Sequence, residues 1–253
     1  MVRDRITGVR RAQVSVMRSA ISGLIVLLLL LPGKGAKATP WGAPGGGWET
    51  VFDQGSQGIK LQERSVNGTN VREFRAEVRV KSTLTELVHL LQDTQNYPEW
   101  MHRIAQVTIV KQDDPVDYQV YTVIESPWPF HNRDVFVHTH ISQNATTGTV
   151  LFRSISEPAG AGLMPGCVRM PEMDSDWLLT PESDDQVKVV FRGFGLPGGA
   201  VPDWAVNMVV TDLPYGSLRN LQRQISRHSY QETSGAQNFK VLEFQDLHRK
   251  AAD

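Results

Sequence analysis

Residues 71–80 alternate well. Phe74, Ala76, Val78 and Val80 fall on one side and Arg75, Glu77 and Arg79 on the other, the period-two pattern of a half-buried strand. An Asn67-Gly68 pair separates this run from another strand-like run over 58–66, which predicts a hairpin. The period then changes behind Thr83-x-x-Glu86, the residues of a capping box. Leu84, Leu87, Val88 and Leu91 recur at helical spacing, and "NYPEWM" offers a second short helix, with Asn96 as its cap and Trp100 buried behind it. Six strand-like segments follow, at about 104–111, 118–125, 134–142, 148–156, 175–180 and 186–194, with the longest turn-rich piece over 156–174. A long helical stretch over 201–227 and a weaker helical tail over 238–251 close the chain. Strands that follow one another without crossover helices predict antiparallel pairing. Such a sheet must bury one face, and the late helix is the evident cover.

That helix has an unusual entrance. "GLPGGAVPDWAVN", residues 195–207, cannot continue a strand through Pro197, and its glycines at 198 and 199 permit close backbone approach. Pro202 suits a first helical turn. The result is an abrupt strand-to-helix corner. Val201, Trp204, Ala205 and Met208 form one stripe, and Tyr215, Leu218, Leu221 and Ile225 continue it as core beyond Pro214, where the helix is expected to kink or to be recapped by Asp212. Arg219, Asn220, Arg223 and Gln224 take the wet side. This phase places Trp204, Asn207 and Met208 under the sheet near its rim. An amide at Asn207 then needs a partner in protein, water or ligand.

The N-terminus is a different material. Five arginines precede the apolar run over 20–31, and Ala36-Lys37-Ala38 has the small-x-small form of a cleavage site. The order predicts a secretory signal over 1–38, with an uncleaved anchor as the alternative, and an exported protein, periplasmic or secreted. A Gly/Pro-rich linker over 39–47 and a main domain over 48–230 follow, with a tail over 231–253. Removing the seven Lys/Arg and one acidic residue of 1–38 from totals of 26 and 27 leaves 19 basic and 26 acidic residues, near −7. That charge gives no general reason to bind nucleic acid or anionic lipid. The single cysteine, Cys167, excludes an intramolecular disulfide.

Chemistry-bearing motifs are sparse. No G-x-S-x-G, HExxH, P-loop or dinucleotide glycine pattern occurs, so no catalytic residue, cofactor or metal is assigned. His138 and His140 share a strand face, as a metal pair would, but spacing suggests no further ligands and a solvated face is the ordinary reading. Asn67 and Asn144 head glycosylation sequons at turn-like sites. In "NRD", Arg133 and Asp134 face opposite ways on a strand, so at most one points inward.

"NYPEWM", "SPWPFHNRDVFV" (126–137), "DWLLTP" (176–181) and "GGAVPDWAVN", in this order across residues 48–230, resemble the START domain, a branch of the Bet v 1-like helix-grip superfamily. The resemblance implies an α+β helix-grip fold: a curved antiparallel β-sheet wrapped around a long C-terminal α-helix, with an internal apolar cavity. It also implies non-covalent binding and transport of one hydrophobic ligand, a lipid such as a sterol or phospholipid, with transient membrane contact. The carrier is expected to be a monomer. Val201, Trp204, Asn207, Met208 and Thr211 would line or close the tunnel, and a lid would come from 160–166. Arg133 would face the cavity, with Glu125 as its acidic partner, orienting a hydroxyl or headgroup. The superfamily also contains cyclases and hydratases, for which Tyr121, Glu125 and Arg133 would be the first suspects. An accessory protein with a filled interior is the third reading.

Overall fold

The computed structural model describes residues 45–55, 58–157, 164–227 and 240–250. The expected signal over 1–38 lies outside them, as does all of the expected lid except residues 164–166. The described residues fall within one compact unit, Thr39–Asp253.

Among the described residues ten strands form a single sheet. In chain order they are β1 (Glu49–Asp53), β2 (Lys60–Ser65), β3 (Arg72–Lys81), β4 (Ile104–Asp114), β5 (Asp117–Ile124), β6 (Asn132–Gln143), β7 (Val150–Ser156), β8 (Cys167–Arg169), β9 (Glu172–Ser183) and β10 (Gln186–Leu196). Helices α1 (Leu84–Gln92) and α2 (Tyr97–Trp100) come between β3 and β4, whereas α3 (Asp203–Arg227) and α4 (Phe244–Lys250) follow the last strand. The sheet runs β1-β2-β3-β10-β9-β7-β6-β5-β4, antiparallel at every step of that order. β8 alone is parallel, lying beside the start of β6 at Asn132–Asp134. Strand β8 and the first residues of β9 occupy the segment expected to be loop, and β1 adds an edge strand the alternation does not announce.

Local signals explain most of these elements. Thr83 and Glu86 cap α1 reciprocally, and Leu84, Leu87, Val88 and Leu91 are buried beneath it. Trp100 is buried, as its spacing predicts. Asn96 stands at the N-cap of α2, as expected, but its side chain makes no capping bond: Nδ2 donates to Asp93 Oδ2 at 2.7 Å, and a 3₁₀ turn over Thr94–Asn96 leads into the helix. Asn144 Oδ1 accepts from the backbone of Thr146 and Thr147, fixing the β6–β7 turn.

Of the two alternatives expected at Pro214, the recap is excluded: the long helix continues through the proline, and Asp212 does not start a new one. The Asp212 carboxylate instead receives His102 Nε2 at 3.0 Å and Arg103 Nε at 2.8 Å, tying α3 to the turn before β4. Gly216 makes this close approach possible, since a Cβ there would lie 2.5 Å from His102 Cγ. Beyond it Leu218 and Leu221 are fully buried, with Tyr215 and Ile225 packed against the same core. The tail docks on its own domain. Glu243 accepts from the Leu84 and Thr85 amides at the start of α1, and Leu242 exchanges hydrogen bonds with the Gln143 side chain.

Candidate functional site

Cross-strand partners share a face of the sheet, so the pairing registers identify what points at α3. Phe152, Trp177 and Phe191 form one row across β7, β9 and β10, with the last two rings stacked at 4.0 Å. The next row holds Ser154, Ser175 and Gly193. Thr139 stands beside Ser154, their hydroxyls 2.8 Å apart, so a neutral polar belt crosses a largely apolar wall. Gly193 is bare because a Cβ would lie 2.6 Å from the Phe74 ring.

Between this face and the first half of α3 lies a cavity of about 190 Å³. A buried water occupies only about 10–15 Å³ counted the same way, so the space suits an organic guest. It also argues against an interior filled by the protein's own side chains. Val201, just ahead of the helix, and Ala205, Val206, Val209, Val210 and Leu213 within it form part of the wall, and Tyr97 and Met101 close another side. Apolar walls with a few polar groups are the general form of a small-molecule site.

Of the residues expected at the site, Val201, Glu125 and Arg133 line the cavity. Trp204, Asn207, Met208 and Thr211 do not. Trp204 is 58% exposed and Met208 42%, both turned away from the cavity. Thr211 Oγ1 is 2.8 Å from Glu63 Oε1 and 3.1 Å from the Asn207 carbonyl, so it ties α3 to β2. Asn207 is half-buried, and its Oδ1 meets no hydrogen-bond partner among the described residues. The reason is helical phase: the face that turns inward is the one carrying Val206, Val209 and Val210, while Asp203, Asn207 and Thr211 follow one another on a polar row.

Arg133 sits at the corner where β10 gives way to α3. It is only 6% exposed. Its Nε donates to the Pro197 carbonyl at 3.2 Å and Nη2 to the Gly198 carbonyl at 3.3 Å, while Nη1 donates to Ser126 Oγ and to the His131 carbonyl. Gly198 and Gly199 adopt φ of 66° and 63°, and a Cβ on Gly198 would lie 2.5 Å from the Arg169 carbonyl oxygen. The glycines let the chain turn this tightly, and the arginine clasps the turn. The expected Glu125–Arg133 ion pair is absent among the described residues, because Glu125 lies past the end of β5 and is exposed while all four acceptors of Arg133 are neutral. Burial pulls the Arg133 guanidinium below its ordinary pKa.

Asp134 takes the opposite face, as strand alternation requires. It is fully buried and accepts Tyr121 Oη at 2.8 Å and Arg169 Nε at 2.9 Å. Tyr121 and Arg133 are thus on opposite sides of the sheet, so the three suspects for acid–base chemistry do not converge. His138 and His140 both contact Asp117 on the outer face, and no cluster suited to a metal occurs among the described residues. Cys167 begins β8, and burial raises its thiol pKa.

Beside the cavity the surface is unusually aromatic. Trp128, in the turn between β5 and β6, is 90% exposed. Phe130 meets Trp204 edge-on, ring centres 6.1 Å apart.

The sequence matches the START domain over residues 41–214. It is 31% identical to a STAR-related lipid transfer protein from Xanthomonas axonopodis, whose crystal structure superposes with a TM-score of 0.65 over 72% of this chain and 100% of that one. Human StAR-related lipid transfer protein 5 shares the fold at 16% identity, with a TM-score of 0.62 over 72% of this chain and 88% of its own. An uncharacterized protein of Pseudomonas aeruginosa is 28% identical over 175 residues, 69% of this chain and 85% of that one.

Proposed function

This chain belongs to the START domain family, and we propose that it takes one hydrophobic molecule, a lipid, into its cavity and carries it through an aqueous compartment without covalent chemistry. The observation that supports this best is the apolar space roofed by Val206, Val209 and Val210. Burial contributes about 0.8 kcal/mol per CH₂, so an acyl chain or sterol would be held without any ionic contact. Uptake and release would need the start of α3 to move away from the sheet. Its outer side, with Trp204, Met208 and nearby Trp128 exposed, has the composition of a surface that touches membrane briefly. The leader-like residues 1–38 support a carrier that works outside the cytoplasm.

The direct test is mass spectrometry of an organic extract of the purified protein, paired with melting temperatures across a lipid panel. A co-purifying lipid at near one equivalent, or a clear rise in Tm with one lipid class, is the expected result. An extract without lipid, together with no shift for any class, would refute the carrier reading.

A further inference from the structure

Six charged side chains are buried among the described residues: Glu63, Glu73, Arg133, Asp134, Asp174 and Asp176. Five have an opposite charge beside them. Glu63 faces Arg72 at 3.8 Å, Asp134 faces Arg169 at 2.9 Å, Asp174 faces Arg153 at 3.4 Å, Asp176 faces Arg153 at 2.7 Å, and Glu73 pairs with Arg64. Arg133 is the exception, and it is the one of the six whose charge stands uncompensated on the wall of the cavity.

Its hydrogen bonds do not remove the problem. Three carbonyls and a hydroxyl use four of the five guanidinium N–H groups, which leaves one N–H of Nη2 without a partner among the described residues. Neutral acceptors satisfy donors but do not cancel a buried charge, and an uncompensated buried ion is costly. The geometry points to a cargo that supplies the missing anion: we propose that the molecule carried is an anionic amphiphile, whose acid group pairs with Arg133 while its apolar body fills the space under α3. This rests on the carrier function proposed above and narrows its substrate class. Arginine suits the task, since its planar fork matches carboxylate and phosphate oxygens.

The test compares ligands of equal chain length on the unaltered protein. Palmitate, lysophosphatidic acid with the same chain, methyl palmitate and hexadecanol are titrated against a displaceable fluorescent lipid, with inorganic phosphate as the chainless anion. At least one of the two acids is expected to bind about tenfold or more tightly than the ester and the alcohol, one factor of ten being about 1.4 kcal/mol. Which acid wins separates a carboxylate cargo from a phosphate headgroup. In Arg133→Gln the preference for the acids over the ester and the alcohol is expected to vanish, and in Arg133→Lys to survive in part. Should the Gln variant fail to fold, the comparison on the unaltered protein still decides. Equal affinity for acids, ester and alcohol would overturn the anionic cargo while leaving the carrier function standing. That outcome would also follow if Glu125 closed on Arg133 and the pair served a hydroxyl. Tight binding of inorganic phosphate alone would overturn the amphiphile. Binding of none of the five probes, with no lipid in the extract, would overturn the carrier and the cargo together.

Discussion

Asp134 and Asp174 are both buried carboxylates on the outer face of the sheet, yet their surroundings push them in opposite directions. For Asp134 burial acts to raise the pKa, but the bonds from Arg169 and Tyr121 and the arginine's charge outweigh it and hold the group below the usual carboxylate range. For Asp174 burial wins over the more distant Arg153, and the pKa rises to about 6. The consequences for stability are opposite in sign. The contribution of Asp134 is present above the unfolded value and is lost as pH falls through the depressed folded one. Asp134→Asn should therefore cost about 3–5 kcal/mol near neutral pH, and the gap from the parent protein should narrow toward pH ~3. Ionised Asp174 instead destabilises the fold in full above pH 6, and the penalty fades as pH drops toward its unfolded value. Asp174→Asn should raise stability by about 1–2 kcal/mol near neutral pH and do less in mild acid. Urea unfolding across pH checks both, and matching signs for the two variants would contradict the account. Only part of this was legible in advance. Strand alternation separates Arg133 from Asp134, but the partners Arg169 and Arg153 lie 35 and 21 residues away from the acids they meet, and only the pairing registers bring them together.

At the scale of elements the decisive fact is that α3 does not break at Pro214. Stepping back by fours from the buried Leu218 and Leu221 through an unbroken helix reaches 214, 210 and 206 on one row and 217, 213, 209 and 205 on the next. That is the cavity face, together with the two buried positions Pro214 and Ser217. Treating the proline as a boundary frees the first half to take any phase, and its Trp and Met then attract the assignment because they are its largest apolar side chains. The second half, with charged residues on its wet side, fixes its own phase, and its core positions were readable for that reason. Two substitutions separate the faces. Val209→Trp should fill the cavity and abolish retention of a co-purifying lipid while leaving the circular dichroism of the sheet intact. Met208→Arg should retain the lipid and slow its transfer between vesicles. Retention by the first variant, or loss in the second, would mean the phase is wrong. Gly216 tests the contact that holds α3 in place. Alanine there gains about 1 kcal/mol of helix propensity, but its Cβ would meet Cβ, Cγ and Cδ2 of His102 at 2.5–2.8 Å. His102 is held through its backbone by Ser217 and through its ring by Asp212. Overpacking of this kind costs about 1–3 kcal/mol, so Gly216→Ala should lower Tm rather than raise it.

For the whole molecule, the succession of strands before a single long helix already specifies a one-sided sheet with a helical cover. The chain confirms that architecture even where short elements such as β8 and the edge strand β1 escape notice, because three to five residues, half-buried in β8 and mostly exposed in β1, carry little periodicity. Less legible was the division of labour between its two apolar surfaces. The inner one encloses a cavity, whereas the outer one, around Trp128 and Trp204, faces water at a clear energetic cost. Charge constrains what that outer surface can meet. With 19 basic and 26 acidic residues beyond position 38, the body of the protein is repelled by an anionic bilayer, and aromatic side chains of this amphipathic type settle at the headgroup level of either neutral or charged membranes. The proposed docking should thus be driven by aromatic insertion against an opposing field. Vesicle flotation with phosphatidylcholine alone should show binding that hardly responds to salt. Adding anionic lipid should weaken it, and salt should then restore it, since screening shortens the reach of the repulsion to about 8 Å at physiological strength. Replacing Trp128 and Trp204 together by alanine should remove binding to both vesicle types without emptying the cavity. Stronger binding to the anionic vesicles, falling with salt, would instead assign docking to a basic patch and leave the two tryptophans without a role at the membrane.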